Sequence, residues 1–320
     1  MRLVIIMPVF NDWEAAAELC AMIDSEFAKI AAVTVNILMI DDGSSRSPDQ
    51  CFDGVRLDSV EALSVLRLRR NLGHQRAIAV ALGFIQERVA CDVVVVMDAD
   101  GEDRPADIPK LLEHLHRSPH PVAVFAERGK RVETLTFKIF YTCYRVLHFV
   151  LTGRGIRIGN FSVLPMEHLQ SIVAYPELWN HYAATVVNSR LPYSTVRVDR
   201  GYRLRGKSQM SFVDLVIHGL SALFAYHDVV STRFAIGSSL LALLFVVLVS
   251  TVFFLQIQTK LAIPTWLSVS AALLFFSILQ CLGTSLSVLF TVVINRRMIG
   301  FLALRDYSYF VLRCNVIKAR

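Results

Sequence analysis

The sequence predicts an α/β domain on a mostly parallel sheet, followed by amphipathic juxtamembrane helices and two transmembrane helices. Short apolar runs alternate with helical patterns through the first part of the chain, which is typical of parallel strands joined by crossover helices. The most apolar of these runs, Val93–Met97, ends abruptly in Asp98 and Asp100. Nearer the end of the chain, two long stretches carry no charged residue.

The alternation places each strand and helix in turn. A run without polar residues, such as Val93–Met97, is expected to be a strand buried on both faces of the sheet. Two amphipathic segments follow the α/β pattern: 133–151 is expected to pack on the core, whereas 211–232 fits a membrane-surface helix and a core helix equally well. The expected strands are 3–9, 35–40, 62–68, 92–97 and 122–126, and the expected helices are 13–30, 74–89 and 106–117.

The two uncharged stretches are Phe234–Leu255 and Leu261–Asn295. As helices, both are long enough to cross a hydrocarbon core of roughly 30 Å. We therefore expect transmembrane helices at 233–256 and 264–295; the alternative is a buried helical hairpin in a soluble protein. The flanks are more basic than the short connector, so the positive-inside rule places both flanks and both termini in the cytoplasm.

The positive charge of the chain is concentrated after the second apolar stretch. Residues 296–320 contain six basic residues and one acid, which accounts for five of the net charge of +6. This segment is expected to be a basic cytoplasmic tail facing anionic lipid headgroups. The rest of the chain is nearly neutral, which argues against a nucleic-acid partner. The six cysteines show no C-x-x-C spacing and are expected to be reduced cytoplasmic thiols, and the N-terminal apolar run is too short for a secretory signal.

Polar side chains follow three of the expected strands. The first strand ends in Pro8-Val9-Phe10-Asn11, the second in Asp41-Asp42-Gly43-Ser44, and the fourth in Asp98-Ala99-Asp100. The carboxyl ends of parallel strands face one crevice, where ligands bind in open α/β sheets. Asp41 or Asp42 could accept hydrogen bonds from a base or a ribose hydroxyl, although Asp-Gly-Ser is also ordinary turn chemistry.

The acidic cluster after the fourth strand points to nucleotide chemistry. Asp98, Asp100, Glu102 and Asp103 offer hard oxygen ligands, which suit Mg²⁺ or Mn²⁺ carrying a substrate diphosphate. The alternative is a solvated acidic turn that caps a helix beginning at Pro105.

Together with two further motifs, these strand ends resemble the family 2 glycosyltransferases of the GT-A fold. The likeness is to the polyprenyl-phosphate branch that includes the dolichyl-phosphate mannose synthases, specifically its bacterial membrane-anchored members. The further motifs are Arg70-Asn71-Leu72-Gly73-His74-Gln75 and Arg203-x-x-Gly206-x-Ser208. The resemblance implies a Rossmann-like, cytoplasmic GT-A domain at 1–210, with 211–232 as a juxtamembrane segment before the two spans.

The resemblance also implies roles for individual residues. Asp98 and Asp100, with Glu102, would hold Mg²⁺ or Mn²⁺ on the donor diphosphate. The residues implied for the nucleotide-sugar donor are Pro8, Phe10, Asn11, Asp41, Asp42, Asn71, Gly73, Asp98 and Ala99. The basic and hydroxyl candidates for phosphate oxygens of donor or acceptor are Arg128, Lys130, Arg131, Arg200, Arg203, Lys207 and Ser208, and each basic residue among them could equally be a solvated surface charge.

This chain departs from the family pattern at two positions. Many relatives have Gly-Asp-Phe on the acceptor side, where the Asp is often proposed as a base, but this chain has Asn160 there. An amide cannot take a proton usefully, so a hydroxyl acceptor would need a base elsewhere, such as Asp103. A polyprenyl phosphate, whose second pKa is about 6, needs none. Asn160 therefore favours a phosphate acceptor but also fits an inactive enzyme. The second departure is Gln209, where relatives usually have Lys.

The expected reaction is inverting transfer of one sugar from a UDP- or GDP-sugar to a polyprenyl phosphate at the bacterial inner membrane. The Gln-x-x-Arg-Trp motif of processive relatives is absent from the sequence, which favours single-sugar transfer. Two alternatives remain: transfer to a membrane-lipid hydroxyl, or a catalytically silent subunit that binds nucleotide sugar. Expected partners are membrane lipids, a flippase that moves the lipid-linked sugar outward for cell-surface glycan modification, and further copies of the chain. Small residues suited to packing between copies are Gly237, Ser238, Gly283 and Ser287.

Overall fold

The computed structural model of the chain divides into two units. It describes residues 1–30, 33–128, 135–153, 158–199, 201–205, 226–259, 265–295 and 300–319. The first unit, here called the sheet unit, comprises Met1–Phe140, Ile156–Ala225 and Gly300–Arg320. The second, the hairpin unit, comprises Tyr141–Gly155 and Tyr226–Ile299.

The sheet unit is built on an eight-stranded sheet in the order β7-β5-β6-β4-β1-β2-β3-β8. The first four strands run parallel to one another, whereas β6 lies antiparallel between β4 and β5, and β8 lies antiparallel on the outer side of β3. This mostly parallel sheet confirms the predicted fold class. The strands are β1 (Arg2–Val9), β2 (Thr34–Asp41), β3 (Val60–Leu68), β4 (Val93–Val96), β5 (Ala123–Arg128), β6 (Ile158–Pro165), β7 (Tyr193–Val198) and β8 (Val311–Ala319).

Helices cover both faces of this sheet. Alternate residues of β1 face opposite sides: Leu3 and Ile5 join the core cluster that includes α1, while Val4 and Ile6 join the cluster that includes α3. Because both faces are covered, the strands read as continuous apolar runs in the sequence. The helices are α1 (Trp13–Phe27), α2 (Asp49–Phe52), α3 (His74–Arg88), α4 (Ile108–Arg117), α5 (Leu135–Thr152), α6 (Met166–Ile172), α7 (Tyr182–Asn188), α8 (His227–Thr259), α9 (Thr265–Asn295) and α10 (Ala303–Phe310).

The segment after the second apolar helix returns to the sheet. Residues 296–320 are predicted from the sequence as a tail facing lipid, but Ala303–Phe310 and Val311–Ala319 form α10 and β8 and belong to the sheet unit. Tyr307 of α10 packs edge-on against Phe84, and its hydroxyl donates to Glu87 Oε2 at 2.9 Å. Gly83 permits this approach, since a Cβ there would overlap the carbonyl of Ala303. Basic residues dominate the charge of this segment, but its apolar residues, including Ala303 and Tyr307, pack on α3. The count of charges alone therefore did not reveal this packing.

The hairpin unit contains the two apolar helices. Among the described residues, two helices are long and apolar enough to cross a membrane, Asp228–Gln258 and Leu267–Thr291. Only 6% and 11% of their most apolar windows are buried, unlike the core helices of a soluble protein. Ser238 Oγ donates to Ser285 Oγ at 3.2 Å, so this small residue packs within the hairpin. A Cβ at Gly237 or Gly283 would meet open space.

Helix α5 confirms the predicted helix at 133–151, and the part of it in the hairpin unit has one exposed side and one buried side. The helix is divided between the two units after Phe140. In the hairpin unit its apolar side chains are largely exposed: Val146 58%, Leu147 51%, Phe149 59% and Val150 62%. The expected packing is therefore present on only one side of this part of α5, where His148 is 3% exposed and its ring lies edge-on against that of Tyr226, with centroids 5.8 Å apart. An amphipathic pattern records an apolar face without recording what covers it.

Candidate active site

The turn at residues 98–104, here called the acidic turn, follows β4 and is braced by its own side chains. The backbone N–H of Asp98 donates to Asp103 Oδ2 at 2.9 Å, and that of Glu102 donates to Asp100 Oδ1 at 3.0 Å. Asp103 is only 2% exposed, whereas the side chains of Asp98 and Asp100 are 25% and 19% exposed. The bracing therefore leaves two carboxylates at the surface, on the edge of the sheet where ligands bind.

Two cationic side chains contact these carboxylates. His74 Nε2, at the start of α3, lies 3.2 Å from Asp98 Oδ1. Arg203 Nη1 lies 3.2 Å from Asp100 Oδ2, and its Nη2 lies 3.0 Å from Asp12 Oδ2. Both contacts connect the acidic turn to segments that are far away in the sequence.

The acidic turn fits a divalent cation that is shared with a substrate. Within the described parts of the chain, no group of three or more His, Cys, Asp or Glu side chains is arranged to hold a metal ion. Mg²⁺, however, is usually bound through one or two carboxylates together with substrate phosphates and water. Asp98 and Asp100 supply two partly exposed carboxylates at one strand end, so they suit a metal that arrives with a diphosphate.

The pKa of His74 is set by two opposing effects. Partial burial lowers the pKa of the imidazole, but the charge of Asp98 and its hydrogen bond raise it, as do the charges of Asp103 and Asp100. The net effect raises the pKa of His74 above its ordinary value. A positive His74 is thereby favoured beside the acidic turn.

Asn160 of β6 is held in a chain of hydrogen bonds that ends at His74. The backbone N–H of Tyr182 donates to Gln75 Oε1 at 2.8 Å, and Gln75 Nε2 donates to Asn160 Oδ1 at 3.1 Å. This order turns the Asn160 Nδ2 group toward His74 Nε2, at 3.0 Å. Nε2 therefore has a donor in Asn160 and an acceptor in Asp98, so each protonation state of His74 has a partner within reach.

The turn at residues 41–46, here called the nucleoside turn, follows β2. Asp41 Oδ1 accepts from the backbone N–H of Ser44 at 2.7 Å. Asp42 accepts from the backbone N–H groups of Leu72 at 2.7 Å and Gly73 at 2.9 Å. Asp41 and Asp42 are 1% and 4% exposed. Burial raises the pKa of Asp42, and the two backbone hydrogen bonds oppose that rise. These carboxylates form the frame of the predicted donor pocket.

Asn11 connects the end of β1 to the nucleoside turn. Its Oδ1 accepts from the backbone N–H and the hydroxyl of Ser45 at 2.9 and 3.0 Å, and its own N–H donates to Ser44 Oγ at 3.0 Å. Asn11 has a φ of 56°, a conformation that asparagine tolerates better than most residues. Beside it, Phe10 is 42% exposed and offers an aromatic surface at this edge.

The structure brings together most of the residues predicted for the donor side and fewer of those predicted for phosphates. Pro8 lies within β1 opposite Ile40, and Ala99 is buried in the acidic turn. Asn71 is exposed, next to the nucleoside turn. Arg128 is the last residue of β5, paired with Val198. The predicted residues Lys130, Arg131, Arg200, Lys207 and Ser208 lie outside the described residues.

Three side chains at this site were not assigned roles from the sequence: Asp12, His74 and Gln75. Asp12 directly follows Pro8-Val9-Phe10-Asn11, and His74 and Gln75 end the motif at 70–75. Their position in or beside these motifs is the signal in the sequence that could have identified them. Their partners are separated by dozens of residues or more, as with Asp12 and Arg203, so only the folded chain shows what they contact.

Comparison with known proteins identifies a family for the sheet unit. The sequence profile of glycosyl transferase family 2 matches residues 4–170. The undecaprenyl-phosphate 4-deoxy-4-formamido-L-arabinose transferase of Yersinia pestis (strain Pestoides F) is 28% identical over 172 residues, covering 53% of this chain and 49% of the relative. The protein of that name from Yersinia pseudotuberculosis serotype O:3 (strain YPIII) gives the same figures. The chain thus aligns with about half the length of these curated relatives.

The chain is similar to solved structures at low identity. Glucosyl-3-phosphoglycerate synthase from Mycobacterium tuberculosis, in complex with Mn²⁺, UDP-glucose and phosphoglyceric acid, is 16% identical, with a TM-score of 0.48 over 72% of this chain and 79% of that one. Mannosyl-3-phosphoglycerate synthase from Rubrobacter xylanophilus is 16% identical, with a TM-score of 0.46 over 71% and 72%.

Proposed function

The chain belongs to glycosyl transferase family 2, and we propose that it transfers one sugar, with inversion, from a UDP- or GDP-sugar to a polyprenyl phosphate. Its mostly parallel sheet is the GT-A fold expected from the sequence. The observation that carries the proposal is the pair Asp98 and Asp100, which stays partly exposed at the same sheet edge as the nucleoside turn. A nucleoside and its diphosphate would span these two turns.

The acidic turn is proposed to bind Mg²⁺ or Mn²⁺. Asp98 and Asp100 would hold the ion. The family resemblance implies Glu102 as a further ligand, although among the described residues it does not form a three-residue metal-binding group with them. When bound, the metal would offset the negative charge that develops on the departing nucleoside diphosphate. Arg203 and, when protonated, His74 place positive charge beside the same carboxylates, which would also favour the anionic diphosphate.

The surroundings of Asn160 and Asp103 favour a phosphate acceptor. Asn160 is held by Gln75 and carries no carboxylate, and the Asp103 carboxylate is buried and bonded to the backbone of Asp98. Neither side chain is placed to take a proton from a hydroxyl. The oxygen of a phosphate dianion needs no base: it would attack the anomeric carbon while the bond to the diphosphate breaks, which inverts that carbon.

The hairpin unit is proposed to anchor the protein in the inner membrane of a bacterium. Helices α8 and α9 expose their apolar side chains, and Val146, Leu147, Phe149 and Val150 of α5 add an apolar face in the same unit. β8 pairs with β3 in one sheet, which supports a topology that requires both flanks of the hairpin to lie on the same side of a membrane. Two crossings meet that requirement, and the basic flanks make that side the cytoplasm.

A donor-by-acceptor panel tests this function. The full chain in detergent, with Mg²⁺ or Mn²⁺, is expected to label polyprenyl phosphate from one nucleotide sugar of a UDP and GDP series. Asp100→Asn should reduce turnover by about 100-fold or more, because it removes charge from the metal site. The control, Asp53→Asn, changes an exposed aspartate outside the site and should leave turnover unchanged.

Two results would contradict the proposal. Labelling of a membrane-lipid hydroxyl, with polyprenyl phosphate left unlabelled, would overturn the acceptor assignment. Nucleotide binding without transfer to any acceptor would favour the silent subunit instead.

A further inference from the structure

Residues 201–205, here called the covering loop, lie along the acidic turn. The backbone N–H of Gly201 donates to the carbonyl of Glu102 at 2.8 Å, and that of Leu204 donates to the carbonyl of Asp100 at 2.9 Å. The side chain of Leu204 lies over Gly101, where an added Cβ would overlap it. The covering loop is therefore attached to the same turn that is proposed to hold the metal.

Arg203 is the side chain of this loop that reaches the carboxylates. Its guanidinium bridges two carboxylates, donating from Nη1 to Asp100 Oδ2 at 3.2 Å and from Nη2 to Asp12 Oδ2 at 3.0 Å. Its Nε donates to the carbonyl of Arg205 at 3.0 Å. The side chain is 25% exposed, so these ion pairs are partly shielded from water. Such charge-assisted bonds are stronger than those between fully exposed ions.

A divalent cation at Asp100 would compete with Arg203. Asp100 Oδ1 accepts from the backbone of Glu102, and Oδ2 accepts from Arg203, so both oxygens are engaged in this structure. Mg²⁺ binds carboxylate oxygens at about 2.0–2.1 Å. A guanidinium on the same oxygen at that moment would place two positive groups in contact. The two cations are alternatives for one carboxylate.

We propose that Arg203 is the counter-ion of Asp100 in the metal-free protein, and that a divalent cation replaces it and releases the covering loop from the acidic turn. This inference rests on the proposed function, since it assigns a metal to Asp100. Once released, Arg203 is free to bind phosphate oxygens of the nucleoside diphosphate that accompanies the metal, a task suited to its forked donors. Binding of the metal to Asp100 would thus make Arg203 available to bind the phosphate groups of the donor.

Arg205 supplies a matched control from the same loop. Its Nε lies 3.2 Å from Glu18 Oε2, a carboxylate of α1, and its side chain is 60% exposed. The Arg205 pair is as long as the pair between Arg203 and Asp100, at 3.2 Å, but it joins the loop to α1 instead of the acidic turn. Neutralising Arg205 should leave the metal site unchanged.

Mn²⁺ affinity of the full chain, measured without nucleotide by electron paramagnetic resonance, tests the exchange. Arg203→Gln is expected to bind Mn²⁺ about three- to tenfold more tightly than the unsubstituted protein, because the competing cation is gone. Arg205→Gln should match the unsubstituted protein, and Asp100→Asn should lose most of its Mn²⁺ affinity. In the unsubstituted protein, Mn²⁺ should speed hydrogen exchange at the amides of Gly201 and Leu204.

The outcomes separate this inference from the proposed function. If the unsubstituted protein binds Mn²⁺ but Arg203→Gln binds it no more tightly, the exchange is overturned while the metal site stands. Unchanged or slower hydrogen exchange at Leu204 on adding Mn²⁺ would overturn release of the loop. If neither protein binds Mn²⁺, the metal assignment and the exchange are both wrong.

Discussion

The nucleoside turn and the acidic turn look alike in the sequence but are stabilised differently. Each follows a buried strand and contains a glycine, with two aspartates in the nucleoside turn and three in the acidic turn. In the nucleoside turn, Asp41 and Asp42 accept from backbone N–H groups. In the acidic turn, Asp98 and Asp100 face the side chains of His74 and Arg203.

The difference lies in how easily each partner can be exchanged. A backbone N–H is fixed by the fold, so Asp42, which accepts from two of them, is part of the frame of the sheet unit. Asp41 is held by the backbone N–H of Ser44 and also lies 3.4 Å from Arg67 Nε. A side-chain cation can rotate away, so the carboxylates of the acidic turn can change partners when a ligand arrives. Removing charge from the nucleoside turn should therefore cost mainly stability, and from the acidic turn mainly activity.

The largest expected effect comes from substituting one aspartate of each turn. Asp98→Asn should lower kcat/KM by about 100-fold or more, because it removes charge stabilisation at the departing diphosphate, while the melting temperature changes little. Asp42→Asn should lower the free energy of unfolding by about 1–3 kcal/mol, because an amide cannot accept from both Leu72 and Gly73 without turning an N–H toward one of them. Transfer assays and denaturant titration measure the two effects.

Two results would contradict this assignment of activity to Asp98 and stability to Asp42. A fully active Asp98→Asn variant with a lowered melting temperature would make the acidic turn a structural element like its counterpart. Asp42→Asn with unchanged stability would remove the framing role assigned to the nucleoside turn.

The glycines of the two turns allow a second, smaller contrast. Gly43 and Gly101 both have positive φ, 75° and 85°. A Cβ at Gly43 would lie 2.6 Å from the backbone nitrogen of Asn71, whereas at Gly101 it would meet the side chain of Leu204. Gly43→Ala should therefore cost about 2–4 kcal/mol of unfolding free energy, and Gly101→Ala about 1–2 kcal/mol, since a side chain can move and a backbone cannot. Equal losses in thermal denaturation would contradict this distinction.

The sequence was sufficient for the parts of the fold whose signal is local. The first five strands are apolar runs, and each is present within a few residues of its expected place. β8 was missed because its partner, β3, lies more than 200 residues earlier in the chain, and because the basic residues of 296–320 as a whole pointed to a lipid-facing tail. The sequence predicts different ligands for the nucleoside turn and the acidic turn, but for the same reason it does not show which protein groups contact their carboxylates. What distinguishes Asp42 from Asp98 is the approach of Leu72 in one case and of His74 in the other, and neither neighbour is adjacent in the chain.

The smallest expected effect is a pH dependence that His74 confers on stability. A histidine whose pKa is raised on folding stabilises the protein fully below its unfolded value of about 6.5, and that contribution is lost as pH rises through the folded pKa. Above pH 6.5, the metal-free protein should therefore lose stability with rising pH more steeply than His74→Gln does. Asp98→Asn should flatten this difference, because Asp98 is the main source of the raised pKa. Denaturant titrations between pH 6 and about pH 9 measure it, and parallel curves for His74→Gln and the unsubstituted protein would show that the acidic turn does not hold a charged histidine.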